Sequence, residues 1–439
     1  MSTIQEAGEG KKRIVIIGAG FAGVHTYMEL HRQMHGRKDV YITLINKNDY
    51  FLFVPMIHEV AMGNLLPGSI TQSLRVLPQC CLNDFIEGEV QSVDFDNQTI
   101  KYKQSHKVDN DDENFDAMEV VYDYLVLAPG ARTNYFGVDG AKENTLILQD
   151  LNDAKKIKNH MLHRFEEAQT TDDENIKKEI LTFVIIGGGA TGVELCGEMA
   201  DIFNKELKDV YPELYPLSSV KLIHAGDMLI SPAVPWFAQR TQKILEAKGK
   251  VEIMLNSRVI KIEKGIVWIG DKNVCGGTIV WAGGTLASDL QTIASKKFKR
   301  NEKDNRVVTN RFLQLPEYPN VFPLGDYAWV PEKDKPDTAY PTRAQFATRE
   351  GFFAGRNIKR LIDGNLNLEE FVWKDQGFIV SLGRGGALAS AFGLKLSGFI
   401  AWWFYRTAYL LKIFGTRAKI RTAMEWTLNL FLPRDLSEL

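Results

Sequence analysis

The sequence predicts an α/β protein in which one strand–turn–helix design is used twice and an amphipathic helical tail follows. Three observations lead there. The pattern G-x-G-x-x-G occurs at Gly18-Ala19-Gly20-Phe21-Ala22-Gly23 and again at Gly187-Gly188-Gly189-Ala190-Thr191-Gly192. Each copy follows a β-branched run, Arg13–Ile17 or Leu181–Ile186, and opens an amphipathic helix pattern. From Lys395 onward the composition shifts to aromatic, aliphatic and basic residues.

The glycine spacing has a physical meaning. The first glycine permits a tight turn and the second lets the backbone approach a pyrophosphate. The third lets helix and strand pack closely, so the helix N-terminus points at phosphate. Two copies in one context describe two Rossmann-like dinucleotide-binding domains, most simply one for a flavin and one for a nicotinamide. Gly18, Gly20 and Gly23, with Phe21 and Ala22, are expected at the FAD pyrophosphate. Gly187, Gly189 and Gly192, with Thr191, are expected at that of NADH or NADPH. The strand after each helix ends where the adenosine ribose is read, at Asn46 with Lys47 in the first unit and at His224 in the second.

Bulk properties narrow the classes. The chain has 439 residues, 45% hydrophobic and 25% charged, which suits two or three folded domains. A formal net charge of −2 supplies no basic field for nucleic acid. The four cysteines, Cys80, Cys81, Cys196 and Cys275, are too few and too irregularly spaced for a disulfide framework and suggest a reducing compartment. Cys80 and Cys81 are adjacent, and no C-x-x-C or C-x(4)-C pair marks a redox-active disulfide. No metal site is expected. Residues 1–10 read as a polar tail without the charged start and apolar run of a signal peptide. The longest uncharged apolar stretch, Leu396–Tyr405, is half the roughly 20 residues of a spanning helix.

Strand, turn, helix and strand are expected over residues 13–45, followed by a Pro- and Gly-marked segment, Asn48–Ser73. Short strands are expected across 84–126, with an acidic hairpin tip at Asp109–Glu113, and a buried strand runs from Tyr122 into Ala128-Pro129-Gly130. The polar stretch Gln169–Lys178 reads as a surface loop. Residues 181–226 repeat the first plan. Further strands are expected at Val251–Leu255, from Gly277 into Ala282-Gly283-Gly284, and from Asn320 into Gly325-Asp326. The expected division is 11–150 and 291–385 as two parts of an FAD-binding domain, 151–290 as an NAD(P)H-binding domain between them, and 386–439 as a membrane-associating helical region.

Between Lys395 and Arg421 lie six basic residues and no acidic ones, interleaved with apolar and aromatic side chains. Such segments fit an interfacial anchor, apolar groups at the acyl boundary and Lys/Arg at anionic headgroups. Trp402, Trp403 and Trp426 strengthen that expectation. Helices packing on the body or on a second subunit are the alternative.

From about Arg13 to Arg434 the chain resembles the type II NADH dehydrogenases, single-subunit NADH:quinone oxidoreductases that do not pump protons. Asn48-Asp49-Tyr50-Phe51-Leu52-Phe53-Val54-Pro55 resembles the family's N-Y-x-x-F-x-P stretch. Thr133-Asn134-Tyr135-Phe136-Gly137 matches T-N-Y-F-G, and Thr191-Gly192-Val193-Glu194-Leu195-Cys196-Gly197-Glu198 matches T-G-V-E-x-x-G-E. Ala344-Gln345 resembles the A-Q motif, and Lys395–Trp402 the K-L-S-G-x-x-A-W run. The resemblance implies a glutathione-reductase-like fold with two dinucleotide sites, FAD as cofactor, NADH as donor and a membrane quinone as acceptor. It further implies a peripheral place on the cytoplasmic face of the cell membrane, the lipid surface as partner, no nucleic acid, and a homodimer through the C-terminal helices.

The resemblance also assigns roles. Glu194 would face the nicotinamide side of the flavin, and Gln345, beside Ala344, would bridge the isoalloxazine edge and the quinone. Asp326 after Gly325 would hold the ribityl chain. Pro55, Ala128, Pro129, Gly130, Ala282 and Gly283 would lie along the two cofactors. His58 and Glu59 are candidates for a quinone entrance, or for the surface or the edge of the core. Three positions depart from the family pattern. Asn46 and His224 stand where ribose-reading acids are usual, which leaves NADPH open as a donor. Arg349 replaces a glutamine near the quinone headgroup. The alternatives are a sulfide:quinone oxidoreductase-like flavoprotein, an NADPH-preferring enzyme, and a low-turnover nucleotide-sensing flavoprotein.

Overall fold

The computed structural model describes residues 10–77, 84–105, 118–230, 235–391 and 393–438. Cys80, Cys81, the acidic tip 109–113 and all but the last of the expected tail residues 1–10 lie outside these. The chain divides into two compact units, one of residues 1–51, 73–132 and 285–374, the other of residues 52–72, 133–284 and 375–439.

The first unit is built on the strand Lys12–Ile17. It lies parallel between Val40–Asn46 and Tyr124–Leu127, with Val321–Pro323 parallel beyond the latter. On the other side Asp84–Asp94 continues the parallel set and then pairs antiparallel with Thr99–Gln104, which pairs with Met118–Val121. Ile14, Val15, Ile16 and Ile17 are all buried, as a central parallel strand requires on both faces. In open α/β sheets ligands bind outside the carboxyl ends of such central strands. Helix Phe21–Met34 packs on helix Ala344–Ile362. Gly351 and Gly355 make that approach close: a Cβ on the first would stand 2.9 Å from Thr26 N, and one on the second 2.9 Å from Glu29 Cβ.

The second unit repeats the plan. Its sheet is parallel throughout, ordered Leu146–Ile147, Thr278–Trp281, Thr182–Ile186, Ser219–Ile223 and Val251–Met254. An antiparallel meander, Lys261–Glu263, Ile266–Ile269 and Lys272–Cys275, follows. A second three-stranded set, Gly377–Ser381, Ala387–Ala391 and Leu394–Ser397, leads into helices Phe399–Lys412 and Thr416–Phe431.

One expectation fails here. Gln169–Lys178 is not a loop: helix Leu151–Gln169 reaches into it, and a second helix, Glu174–Ile180, fills most of the rest. Asp173 caps the second helix, its carboxylate accepting from Asn175 N at 2.8 Å and Ile176 N at 3.3 Å. This helix buries no residue, so no apolar period announces it. The cap and the i,i+4 pair Lys178–Glu174, at 2.6 Å, are its local supports.

The C-terminal helices are two-faced. Ala401, Trp402, Tyr405, Ala418, Thr422 and Trp426 are buried. The opposite faces expose Ile400, Trp403 and Leu411 on one helix and Ile420, Met424, Leu428 and Phe431 on the other. Of the three tryptophans only Trp403 faces outward. Arg406 is also turned inward, its guanidinium 3.7 Å from the Trp402 ring centre and 4.9 Å from that of Trp426. Among the described residues no helix is long and apolar enough to cross a membrane.

Candidate active site

In the first unit the glycine turn leaves the strand Lys12–Ile17. Gly18 has φ +92°, and a Cβ there would fall on the carbonyl of Ala128; a Cβ on Gly23 would fall on the carbonyl of Gly18. These two glycines are therefore fixed by backbone contact. Around Gly20 a Cβ would meet nothing within 4 Å, so the space over the turn is open. Gly20 is also the N-cap of helix Phe21–Met34, which has no side-chain cap and no acid in its first turn. An open glycine cradle at an uncapped helix N-terminus fits a pyrophosphate. Ala128, Pro129 and Gly130 form the facing turn, with Gly130 at φ +76°. Phe21 starts the helix and meets Phe51 edge-on at 5.2 Å.

Asn46, at the end of its strand, also braces the turn. Its Oδ1 accepts from Ala19 N at 2.9 Å and its Nδ2 donates to Asn48 O at 2.7 Å, so it ties the glycine turn to the next loop. Lys47 is exposed, 3.9 Å from Glu89.

Gly325, at φ +64°, sits between two helix starts: a Cβ on it would be 3.4 Å from Ala22 Cβ and 3.6 Å from Ala347 Cβ. Ala344 and Gln345 form the first turn of the second of these helices, which packs on the 3₁₀ turn Gly325–Tyr327 that carries Asp326. Burial raises the Asp326 carboxyl, against the pull of Arg306. Sequence reading missed Glu350, whose Oε2 accepts from Gly325 N at 2.6 Å. Burial pushes Glu350 up to about 8, helped by Asp326 and opposed by the Gly325 N–H and Arg306. The signal for it was the small-residue spacing Ala347, Gly351, Gly355, which marks a close helix contact around an acid. Arg349 stacks on Trp373, 4.2 Å from its ring centre.

The second unit carries the same construction. Gly187, at φ +121°, faces the Ala282 carbonyl, and Gly192 faces the carbonyl of Gly187. Gly189 caps helix Ala190–Ile202 with no side-chain bond and nothing within 4 Å of a Cβ, and Thr191 lies exposed in the first turn. Ala282 N donates to Ile186 O at 2.7 Å, and Gly283 leaves room for the Trp281 ring. His224 Nδ1 accepts from Gly188 N at 3.1 Å. Burial lowers its pKa, which suits a neutral imidazole accepting at Nδ1.

Glu194 lies in the second turn of its helix, not at the helix end, and is buried. Gly197 makes its setting: a Cβ there would stand 2.6 Å from Leu382 C, and this close approach lets Ser381 N donate to Glu194 Oε1 at 3.3 Å. Burial raises Glu194 well above the usual carboxylate range; the Ser381 N–H opposes this, while Glu59 and Glu198 add to it. His58 and Glu59 are not at the surface: their exposures are 1% and 2%. His58 Nδ1 stands 3.6 Å from Glu194 Oε2, and burial together with Arg434 pushes the imidazole down to about 3. Arg434, also unforeseen, is buried and pairs with Glu198 at 2.7 Å. Pro55 opens the 3₁₀ turn Val54–Met56 just before His58. Among the described cysteines, Cys196 is buried and Cys275 exposed, and both are free thiols.

Fold and site together define a two-dinucleotide oxidoreductase. Residues 12–351 match the pyridine nucleotide-disulphide oxidoreductase family, to which the chain belongs. Within it the chain is a member of the type II NADH:quinone oxidoreductases. It is 30% identical over 433 residues to the type II NADH:quinone oxidoreductase NdhA of Mycobacterium tuberculosis, covering 96% of this chain and 87% of that one. It is 28% identical to a probable NADH dehydrogenase of Dictyostelium discoideum, over 97% and 91% of the two chains. Among solved structures its fold is similar to that of NDH2 from Plasmodium falciparum in complex with NADH, with a TM-score of 0.86 at 20% identity, over 97% of this chain and 100% of that one. The sulfide:quinone oxidoreductase of Aquifex aeolicus shares the fold at a TM-score of 0.69 and 20% identity, over 96% of each chain. The chain is thus an oxidoreductase of the NADH:quinone class, with FAD as the cofactor of that class.

Proposed function

We propose that the protein works as a single FAD-containing subunit of a respiratory chain, oxidising NADH and reducing a membrane quinone without moving protons across the bilayer. The observation that carries this reading is the pair of open glycine cradles, one in each unit, each at the carboxyl end of a parallel sheet and the start of an uncapped helix. A bound flavin would supply the redox chemistry, hydride acceptance from a nicotinamide and two-electron donation to a quinone. Gly18, Gly20 and Gly23 would form the cradle of the flavin pyrophosphate, Gly20 at the open helix start and Gly18, whose N–H is bonded to Ile45 O at 2.8 Å, shaping the turn, and Asp326 would hold its ribityl side. Gly187, Gly189 and Gly192 hold the pyrophosphate of NADH. Glu194, its carboxyl raised by burial, orients the nicotinamide. Gln345, at a helix start, orients the acceptor side.

NADH is favoured over NADPH because His224 is a neutral acceptor spent on Gly188 N and offers no cation to a 2′-phosphate. The exposed faces of the last two helices favour a lipid surface, with Lys412, Arg417 and Lys419 among the basic residues beside them. The cytoplasmic face of the cell membrane is the side proposed. The purified flavoprotein should oxidise NADH with a soluble benzoquinone and co-sediment with anionic vesicles. A flavin-loaded protein with no quinone-dependent NADH oxidation would refute the proposal.

A further inference from the structure

Glu59 is a buried acid that the reading above leaves without a task. It lies in the short helix Ile57–Ala61, and both its oxygens are held by neutral donors. Tyr405 OH donates to Oε1 at 2.7 Å; Trp426 Nε1 at 2.7 Å and Asn64 Nδ2 at 2.6 Å donate to Oε2. A phenol can turn from donor to acceptor, so this cage suits either protonation state of the carboxyl. Beside it is an enclosed polar cavity with room for about one water, lined by Glu59, Asn64, Glu198, Ser381, Arg384 and Arg406 among others. The adjacent residue, His58, is 3.6 Å from Glu194, and Ser381 lines the cavity while its N–H reaches Glu194.

The charged and titratable groups facing Glu59 come from several elements. Helix Ala190–Ile202 brings Glu194 and Glu198, helix Phe399–Lys412 brings Tyr405, Arg406 and Tyr409, and the C-terminal segment brings Arg434. Burial raises Glu59 to about 7; Glu198 adds to this, while Trp426, Tyr405 and Arg406 oppose it. Both forms are therefore populated near neutral pH.

We propose that Glu59, caged by Tyr405, Trp426 and Asn64 at a water-sized cavity, is the proton-relay group that supplies the proton consumed in quinone reduction. An O–H bond forms on Glu59 as one breaks on the cavity water, which is reprotonated from solvent. The Glu194 O–H breaks as its proton passes on to the quinone, and the proton leaving Glu59 re-forms it, completing NADH + H⁺ + quinone → NAD⁺ + quinol, whose two electrons come from NADH. This inference rests on the quinone-reducing reading.

Rapid mixing of the holoenzyme under anaerobic conditions separates the two halves of the reaction. Glu59→Gln, with flavin content retained, should be bleached by NADH at the wild-type rate and recoloured by a soluble benzoquinone about tenfold more slowly. Wild-type recolouring should slow as pH rises through about 7, and the variant should lose that dependence. Tyr405→Phe removes a donor that favours the carboxylate, so it should move the wild-type fall to higher pH. In infrared titration of the resting protein, a carboxyl band should disappear across the same pH range and be absent from Glu59→Gln. Wild-type recolouring rates and pH profile in Glu59→Gln would overturn the relay alone. A wild-type protein that NADH bleaches but no quinone recolours would overturn the relay and the functional reading together.

Discussion

In the first unit Asn46 Oδ1 accepts from Ala19 N; in the second His224 Nδ1 accepts from Gly188 N, the matching position of the matching turn. Asn46 ends its strand and His224 directly follows its own, and each is bonded to the turn. What differs is the space each takes. Asn46 leaves room for the methyl group of Ala19. The His224 ring does not: a Cβ on Gly188 would stand 2.7 Å from His224 Cγ and 2.6 Å from Leu229 Cδ2. A turn can thus keep its geometry with an amide or an imidazole as brace, but the brace decides whether the middle residue has a side chain.

The largest expected effects are at the glycines fixed by backbone. Gly18→Ala combines a left-handed φ with collision against the Ala128 carbonyl and should yield protein without flavin, read as the flavin absorbance per chain. Gly187→Ala makes the same change in the second turn and should keep its flavin while losing bleaching by NADH. If both variants lost the same function, the division of labour between the turns would be wrong.

A smaller effect tests the brace. Gly188→Ala should raise the KM for NADH about tenfold or more, the cost of displacing a packed ring being about 1–3 kcal/mol. Adding His224→Asn rebuilds the Ala19–Asn46 chemistry in the second turn and should recover much of that loss. No recovery would mean the two braces are not equivalent.

The next effect concerns the buried acid of the first unit. The pKa of Glu350 is raised by folding, so its contribution to stability is full below its ordinary 4.5 and is lost as pH rises toward about 8. Glu350→Gln keeps an acceptor for Gly325 N and should flatten that loss, measured as Tm against pH. His58 works the other way: its depressed pKa makes its stabilisation full above 6.5 and lost as pH falls toward about 3. The smallest effect on the folded protein is on the exposed tail faces. Trp403→Glu with Phe431→Glu should abolish vesicle binding and leave flavin content unchanged.

Much of this comparison was legible in the sequence, because glycines that avoid backbone collisions leave a fixed spacing and parallel strands leave continuous β-branched runs. The positions of Asn46 and His224 could be read from the repeat, but not the hydrogen bonds that occupy them. Arg434 and the burial of Glu59 could not be read, since each depends on partners far away in the chain; the small-residue spacing around Glu350 marked a helix contact but not its bond to Gly325 N. Trp402 and Trp426 show the same limit. Composition placed them in an interfacial tail, whereas one face of each helix turns them inward onto Arg406. Helix Glu174–Ile180 was hidden because it buries nothing.

The most direct measurement is anaerobic mixing of the flavin-loaded protein with NADH and, separately, NADPH, followed by a benzoquinone. The account predicts rapid bleaching by NADH, much slower bleaching by NADPH, and full recolouring by the quinone. Equal or faster bleaching by NADPH would contradict the neutral role given to His224. Bleaching by neither nucleotide would contradict the central claim that the second cradle delivers NADH to the flavin held by the first.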